Sequence, residues 1–304
     1  MDYVIETNGL GKNYRHIAAV RNLNLQIPYG EIFALLGPNG AGKTTTIMML
    51  LGNIRPSVGE AKLLGRPLGD VVSRRRIGFL PEKFQFHDFL TATEFLRLHG
   101  KLCLMESGRL ERRIPEVLDR VGLGEYARTR ISEFSKGMQQ RIGLGQAIIH
   151  EPDLILLDEP TSALDPIGRR DVRELVLELR SQGKTVVINS HLLSEMELIC
   201  DRLAIIHKGQ TAVSGTLDEV LTFSSNVSVE VEGMNDAAMA AVRLIAAKIK
   251  LDRVPITRFT VWIHREEDIP ELAAALVGNG VKLKSLTPKR ETLEEVFVRI
   301  VDSV

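Results

Sequence analysis

Gly37-Pro38-Asn39-Gly40-Ala41-Gly42-Lys43-Thr44-Thr45 indicates the architecture of this 304-residue chain more clearly than any other stretch. It follows an apolar run, 32–36, and leads into a helical pattern that begins at Thr46. Glycines at these spacings let backbone amides approach phosphate oxygens, and a helix N-terminus favours an anion. The stretch is therefore predicted to be a phosphate-binding loop, or P-loop, whose residues line a nucleotide site. Lys43 reaches the β- and γ-phosphates, and the Thr44 hydroxyl ligates Mg²⁺.

Four more apolar runs read as buried strands like the one before the P-loop, at 77–80, 154–157, 185–188 and 203–206. The segments between them include helical patterns, which predicts an α/β domain with a largely parallel core sheet. Residues 20–27 instead alternate apolar and polar side chains, as in a half-buried antiparallel strand.

Several helix boundaries can be predicted from capping residues. Thr91 and Glu94 have the spacing of a capping box. Asp165 before Pro166 is typical of a helix start, and Gly183 supplies the stop. Pro115 predicts that the helical stretch 110–121 is bent or split.

The character of the sequence changes after position 222. Alternating patterns predict strands around 227–231, 259–263 and 281–285, with helical patterns at 236–250, 268–277 and 291–301. We therefore expect a large domain at residues 1–222 and a small α+β domain at residues 223–304.

Paired carboxylates follow the apolar run 154–157. Asp158, at the end of the predicted strand, can hold magnesium through water, and Glu159 can polarise an attacking water as a general base. Beside a P-loop, this pair indicates nucleotide hydrolysis.

A third motif narrows the class of protein. Phe134-Ser135-Lys136-Gly137-Met138-Gln139-Gln140-Arg141 precedes the acidic strand end. It resembles the signature motif of ABC ATPases, usually written LSGGQ. The resemblance covers about residues 1–222 and implies an ABC-type nucleotide-binding domain: a parallel core sheet, an antiparallel β subdomain and a helical subdomain. ATP and Mg²⁺ are the implied ligands.

The resemblance also implies roles for residues outside the three motifs. Tyr14 matches the aromatic residue that stacks on adenine, and Asp165 lies in the matching D-loop. His191 matches the switch histidine that contacts the γ-phosphate, so that Lys43, Glu159 and His191 are the implied catalytic set. Ser135, Lys136, Gly137, Met138 and Gln139 form the signature segment that contacts the ATP of a second subunit. Two subunits then lie head to tail.

Two departures from the family pattern resemble the branch that pairs with ABC-2 type permeases, which are largely exporters. Glu82 stands where the Q-loop usually has glutamine, which adds a charge although a carboxylate could still orient water or approach magnesium. Lys136 and Met138 stand in the signature, which reads SKGMQ. The segment Leu293-Glu294-Glu295-Val296-Phe297 also resembles an element common in the extra domain of that branch.

Composition restricts the possible partners. Lys plus Arg and Asp plus Glu number 39 each, so no global field favours nucleic acid. Cys103 and Cys200 lack metal-ligand spacing, which fits a reducing compartment. No apolar run is long enough to cross a bilayer, so a membrane role needs a separate permease. We expect a cytoplasmic homodimer, or a paired ATPase, peripheral on the inner face of the membrane.

Two alternatives stay open at this point. One is a soluble ABC ATPase that acts on nucleic acid or ribosomes, although the long coiled-coil insertion of DNA-repair members is absent and one cassette is present where translation-type members usually have two. The other is the ATPase of an importer, with the C-terminal domain as a ligand sensor.

Overall fold

The structure is a computed structural model that describes residues 3–221, 223–251, 257–263 and 266–302. The strands are β1 (Tyr3–Tyr14), β2 (Ile17–Leu23), β3 (Gln26–Pro28), β4 (Ile32–Leu36), β5 (Val58–Leu63), β6 (Arg66–Pro67), β7 (Ile77–Leu80), β8 (Leu154–Asp158), β9 (Thr185–Asn189), β10 (Arg202–His207), β11 (Gln210–Thr216), β12 (Phe223–Glu232), β13 (Ala246–Leu251), β14 (Arg258–Ile263) and β15 (Lys282–Arg290). The helices are α1 (Lys43–Leu50), α2 (Val71–Arg74), α3 (Ala92–Leu102), α4 (Ser107–Arg120), α5 (Lys136–Ile148), α6 (Pro166–Ser181), α7 (Leu193–Glu197), α8 (Leu217–Val220), α9 (Asp236–Ile245), α10 (Ile269–Gly278) and α11 (Leu293–Asp302).

The chain divides into two compact units. The first comprises the residues up to Leu217 together with those from Ile300 onward, and the second is Asp218–Arg299. Residue 222, at the predicted domain boundary, lies outside the described residues. Among the helices in the described ranges, each is too short or too polar to span a lipid bilayer.

A six-stranded sheet in the order β11-β10-β4-β9-β8-β7 forms the centre of the first unit. The five strands from β10 to β7 are parallel to their neighbours, and β11 is antiparallel at the edge. All five residues of β4, β8 and β9 are buried, as expected for central strands of a parallel sheet that is covered on both faces. The predicted parallel core is confirmed.

The same parallel order brings the candidate site residues to one edge of the sheet. The P-loop follows β4, Glu82 follows β7, Glu159 follows β8 and His191 follows β9. Since parallel strands end on the same side, these four segments meet at the carboxyl edge, where open α/β sheets bind ligands.

The second sheet of this unit is antiparallel and contains β1, β2, β3, β5 and β6. The single strand predicted at 20–27 is wrong, because β2 ends at Leu23 and β3 begins at Gln26. Asn22 has a φ of 48°, and the Asn24 side chain accepts a hydrogen bond from the amide of Gly9 at 2.8 Å. At the break between β2 and β3, a side-chain hydrogen bond thus takes the place of a backbone hydrogen bond between strands.

Three helices, α3, α4 and α5, pack together as a helical subdomain. The Thr91–Glu94 capping box at the start of α3 is confirmed, as is the Asp165 cap of α6. Helix α4 is not split at Pro115, because its apolar face remains buried on both sides of the proline, at Ile114 and Val117. Packing of that face compensates for the missing backbone hydrogen bond.

The second unit has the order β-α-β-β-α-β, from β12 to β15, and its antiparallel sheet is ordered β13-β14-β12-β15. This is the ferredoxin-like arrangement. The helix predicted at 236–250 is wrong beyond Ile245, because residues from Ala246 form β13 and pair with β14. Alanine and lysine favour a helix, but strand pairing and partial burial of Ile249 override that local preference.

Candidate functional site

A cleft of about 580 Å³ lies at the carboxyl edge of the core sheet. It brings together the P-loop, the Q-loop position, the acidic strand end and the predicted switch histidine. Its walls are formed by Tyr14, Ala19, Asn39, Gly40, Gly42, Lys43, Thr44, Thr45, Glu82, Glu159, Ser162, Asn189 and His191. Gly37, Pro38 and Ala41 belong to the same loop but do not line the cleft.

The P-loop backbone requires glycine at position 42. Gly42 has a φ of 103°, and a Cβ atom placed there would lie 2.4 Å from the carbonyl oxygen of Ala19. Glycine is the residue that occupies this left-handed region without steric cost. It caps α1, so the first amides of that helix are available to an anion.

Lys43 is held within the loop by two hydrogen bonds. Its Nζ donates to the carbonyl oxygens of Gly37, at 2.7 Å, and Pro38, at 3.1 Å. Burial lowers the pKa of Lys43, while the nearby carboxylates of Glu159 and Asp158 act in the opposite direction. A cation that is partly removed from water interacts strongly with an incoming phosphate.

Thr44 and Asp158 provide adjacent oxygen atoms at the base of the cleft. The Thr44 hydroxyl donates to Oδ2 of Asp158 at 3.4 Å, and the side-chain amide of Asn189 donates to Oδ1. Burial raises the pKa of Asp158, although the Asn189 hydrogen bond lowers it. Within the described residues there is no cluster of three or more acidic, His or Cys side chains that would enclose a metal. The adjacent oxygen atoms of Thr44 and Asp158 fit Mg²⁺, which binds through one or two protein oxygens and completes its octahedron with water and substrate phosphate.

Glu159 and His191 contact each other in the same cleft. Nδ1 of His191 lies 2.7 Å from Oε2 of Glu159, whose side chain is 12% exposed. Burial raises the pKa of Glu159, and the contact with His191 opposes that shift. A partly desolvated carboxylate with a raised pKa is better matched to proton abstraction near neutral pH than an exposed one.

Two functional contacts were missed from the sequence. The side-chain amide of Gln140 donates to the carbonyl oxygens of Glu159, at 3.3 Å, and Pro160, at 3.0 Å. The Asn189 amide donates to Asp158. Gln140 follows Gln139 in the signature motif, and Asn189 lies two positions before His191. Local spacing carries no signal for hydrogen bonds between residues so far apart in sequence.

The signature segment lies at a separate cleft of about 490 Å³. Ser135 caps α5 and its hydroxyl accepts from the amide of Met138 at 3.2 Å. Ser135, Gly137, Met138 and Asp165 line this cleft, whereas Lys136 and Gln139 do not. The two clefts share no lining residue, so the structure of one chain does not bring the signature to the P-loop.

Comparison with known sequences identifies ATP-binding proteins of transport and resistance systems as relatives. A family model described as ABC transporter matches residues 20–162. An uncharacterised ABC transporter ATP-binding protein of Synechocystis is 40% identical over 97% of this chain and 84% of its own length. The linearmycin resistance ATP-binding protein of Bacillus subtilis is 33% identical, over 98% of each chain. The bacitracin transport ATP-binding protein of Enterococcus faecalis is 32% identical, over 99% of this chain and 97% of its own.

Two solved structures of ATP-binding proteins are also similar to this chain. An ATP-binding subunit of an ABC transporter is 32% identical with a TM-score of 0.67, over 71% of this chain and 91% of that one. A dimeric ATP-binding cassette in a post-hydrolysis state, bound to ADP and Pi, is 27% identical with a TM-score of 0.65, over 70% of this chain and 99% of that one.

Proposed function

This chain belongs to the ABC transporter ATP-binding proteins, a family of ATPases, and on that premise we propose that it powers an ABC-2 type exporter through ATP-driven closure of a head-to-tail dimer. One observation carries the proposal: a single cleft joins the P-loop to the contacting pair Glu159 and His191.

The position of each side chain in or beside this cleft supports the role that we propose for it. Lys43 neutralises charge on the β- and γ-phosphates, and its hydrogen bonds to the loop hold the ammonium in place. Mg²⁺, held by Thr44 and Asp158, would offset negative charge as the terminal phosphate leaves. Glu159 accepts a proton from the attacking water, while His191 keeps that carboxylate oriented and contacts the γ-phosphate. Tyr14, which is 43% exposed at the rim, stacks on adenine.

The second cleft supports the dimer. Ser135 and Gly137 lie at the N-terminus of α5, which favours an anion, yet no residue of the P-loop lines that cleft. A second copy, or a paired ATPase, placed head to tail would bring each signature to the other chain's ATP. Opening and closing of that interface is the motion passed to the membrane partner.

Two kinds of observation support export: the names of relatives, and sequence features of this chain. Two relatives are named for linearmycin resistance and bacitracin transport. Glu82, Lys136 and Met138 are the departures that resemble the ABC-2 branch. We therefore place the chain in the cytoplasm, on the inner face of the membrane, with residues 1–222 as the motor and residues 223–304 as an accessory domain. Nucleic acid has no part in this proposal.

The substitution Glu159→Gln tests the proposal. It keeps the size of the side chain and removes the base, so we expect unchanged ATP affinity, hydrolysis about a hundredfold slower or worse, and accumulation of an ATP-bound dimer. Steady-state hydrolysis, binding of a fluorescent ATP analogue and analytical ultracentrifugation measure these three properties. Full hydrolysis by this variant would remove Glu159 from the role of base, and a monomer at saturating ATP would count against dimer closure.

A further inference from the structure

We propose that Asn189 is a positioning residue for Mg²⁺, because its side-chain amide fixes the direction in which the Asp158 carboxylate faces the ion. This inference rests on the magnesium site of the proposed function. It deepens that function because it assigns a role in metal binding to a side chain that lies outside the P-loop and outside the acidic end of β8.

Strand pairing places Asn189 directly beside the proposed magnesium ligand. The strands β8 and β9 are parallel, and Asp158 is paired with Asn189 at the carboxyl end of both. The same segment is joined through the backbone, since the amide of Glu159 donates to the carbonyl oxygen of Asn189 at 2.8 Å. Asn189 therefore contacts the magnesium ligand through its side chain and the proposed base through its backbone.

The Asp158 carboxylate is held mainly from the Asn189 side. The Asn189 amide donates to Oδ1, whereas the hydrogen bond from the Thr44 hydroxyl to Oδ2 is long, at 3.4 Å, for a bond between two oxygen atoms. An ionised carboxylate only accepts hydrogen bonds, so the part of the Asn189 amide that faces Oδ1 is its NH₂ group. One oxygen of Asp158 is thus fixed, and the other stays available to Mg²⁺ beside Thr44.

The carbonyl oxygen of the same side chain has no donor within the protein. Asn189 is 2% exposed, and among the described residues its Oδ1 has no hydrogen-bond partner. A buried acceptor without a donor is unfavourable and calls for an explanation. Asn189 lines the P-loop cleft, and Mg²⁺ in proteins usually keeps several of its waters, each of which can donate. The unsatisfied oxygen is therefore an independent indication of a hydrated ion at this position.

An amide suits this position better than a carboxylate or an apolar side chain. It combines a donor with an acceptor and adds no charge beside Asp158, in a cleft that Glu82 and Glu159 already line. Residues that orient a metal ligand without touching the metal commonly change metal affinity about ten- to hundredfold when they are replaced. We expect an effect of this size for Asn189.

A titration with Mn²⁺ in place of Mg²⁺, followed by electron paramagnetic resonance of the free ion, measures metal affinity without any turnover. The Glu159→Gln background prevents consumption of ATP, and an excess of protein over ATP leaves no free nucleotide to bind the ion. We expect Asn189→Leu, which keeps the approximate size and removes both polar groups, to weaken Mn²⁺ binding about ten- to hundredfold. Asn189→Ala should weaken it less, because a water in the vacated space can donate to Asp158.

Two controls separate positioning of the ion from damage to the fold. Binding of a fluorescent ATP analogue without metal should match the parent in both variants, because neither replacement removes a phosphate contact. Thr185→Val changes a buried residue at the opposite end of β9 and removes the acceptor of the Gly30 amide. It also costs one hydrogen bond of this strand, yet it should leave Mn²⁺ affinity unchanged.

The outcomes distinguish this inference from the proposed function. Mn²⁺ affinity like that of the parent in Asn189→Leu would overturn the inference and leave the proposed function intact. An equal loss in Thr185→Val, or a matching loss of metal-free nucleotide binding, would also overturn it, because the role of Asn189 would then be structural. Absence of Mn²⁺ binding by the parent would instead overturn the magnesium site of the proposed function, and this inference with it.

Discussion

The backbone of Glu159 lies in the left-handed region, with a φ of 52°, which residues with a side chain rarely adopt. Such a conformation costs about 1–2 kcal/mol and persists where surrounding contacts enforce it. Here the Glu159 amide donates to the carbonyl of Asn189 at 2.8 Å, and the Glu159 carbonyl accepts from Gln140 and from the Ser162 hydroxyl at 3.1 Å. These hydrogen bonds set the direction of the carboxylate that we propose as the base.

Gln140 is accordingly predicted to act as a positioning residue. Gln140→Ala removes the donor to the carbonyls of Glu159 and Pro160, so kcat should fall about three- to tenfold, which corresponds to one net hydrogen bond. Affinity for ATP should stay the same, because Gln140 does not line the P-loop cleft. Steady-state kinetics with an equilibrium binding titration measure both. A selective loss of ATP affinity with normal kcat would contradict this role, and Gln182→Ala on the exposed end of α6 serves as the control.

At the level of single residues, the sequence predicted the site residues that belong to short contiguous motifs. The P-loop, Asp158, Glu159 and His191 were predicted, and the structure brings Lys43, Thr44, Glu159 and His191 to one cleft. Gln140 and Asn189 were missed, because their partners lie 19 and 31 positions away in sequence. Such contacts can be seen only once the strands and helices are placed in three dimensions.

Between β7 and α3, an aromatic cluster connects the segment after Glu82 to the helical subdomain. Phe84 and Phe86 lie 4.5 Å apart between ring centroids, and each contacts Phe95 of α3. The His99 ring lies 4.4 Å from that of Phe95. Burial, and to a smaller extent neighbouring His87, lowers the pKa of His99 to about 4. The cluster therefore depends on a neutral histidine.

This cluster predicts a loss of stability in acid. The folded-state pKa of His99 lies below its ordinary value of 6.5, so the unfolded chain takes up the proton first. The contribution of neutral His99 is present above pH 6.5 and is lost as the pH falls towards 4. Between pH 6.5 and 5 the loss amounts to at most about 1.5 kcal/mol, because solvent screens the partly exposed ring.

His99→Leu should therefore lose less stability than the parent between pH 7.5 and 5, as measured by urea denaturation at both pH values. Part of the loss should remain, because burial also lowers the pKa of His150. An identical pH dependence in the two proteins would contradict a role for His99.

The predicted strands and helices agree with the structure where the local sequence pattern decides the conformation, and differ from it where strand pairing overrides local preference. The buried strands of the core sheet were located to within a residue or two, since each is an unbroken apolar run. Residues 246–250 were predicted as part of a helix because alanine and lysine favour one, yet they belong to β13, which pairs with β14. The partner strand lies later in the sequence, so the local pattern could not reveal the pairing.

Among the described residues, each of the two compact units has a hydrophobic core of its own. We predict two unfolding transitions by calorimetry of the intact chain. MgATP should raise the one that belongs to the first unit, because the P-loop cleft lies wholly within it. Leu272→Ala, at a fully buried position of α10, should lower the other transition by about 2–5 kcal/mol in stability. A single transition that responds to both changes would contradict independent unfolding of the units.

At this scale the sequence predicted the class of the motor but not its partner. The neutral charge balance and the ordered motifs favoured a transport ATPase, and comparison with relatives confirmed the family. In the proposed function the permease is a separate chain, so we expect no residue here to encode the cargo. The proposal of export rests on departures such as Lys136 and on the names of relatives.

The most direct test of the transporter assignment is affinity purification of this chain from detergent-solubilised native membranes, with mass spectrometry of the proteins that accompany it. The account predicts a stoichiometric partner with several membrane-spanning helices, which ATP and Mg²⁺ do not displace. Recovery of ribosomal proteins or nucleic acid, with no integral membrane protein, would contradict it.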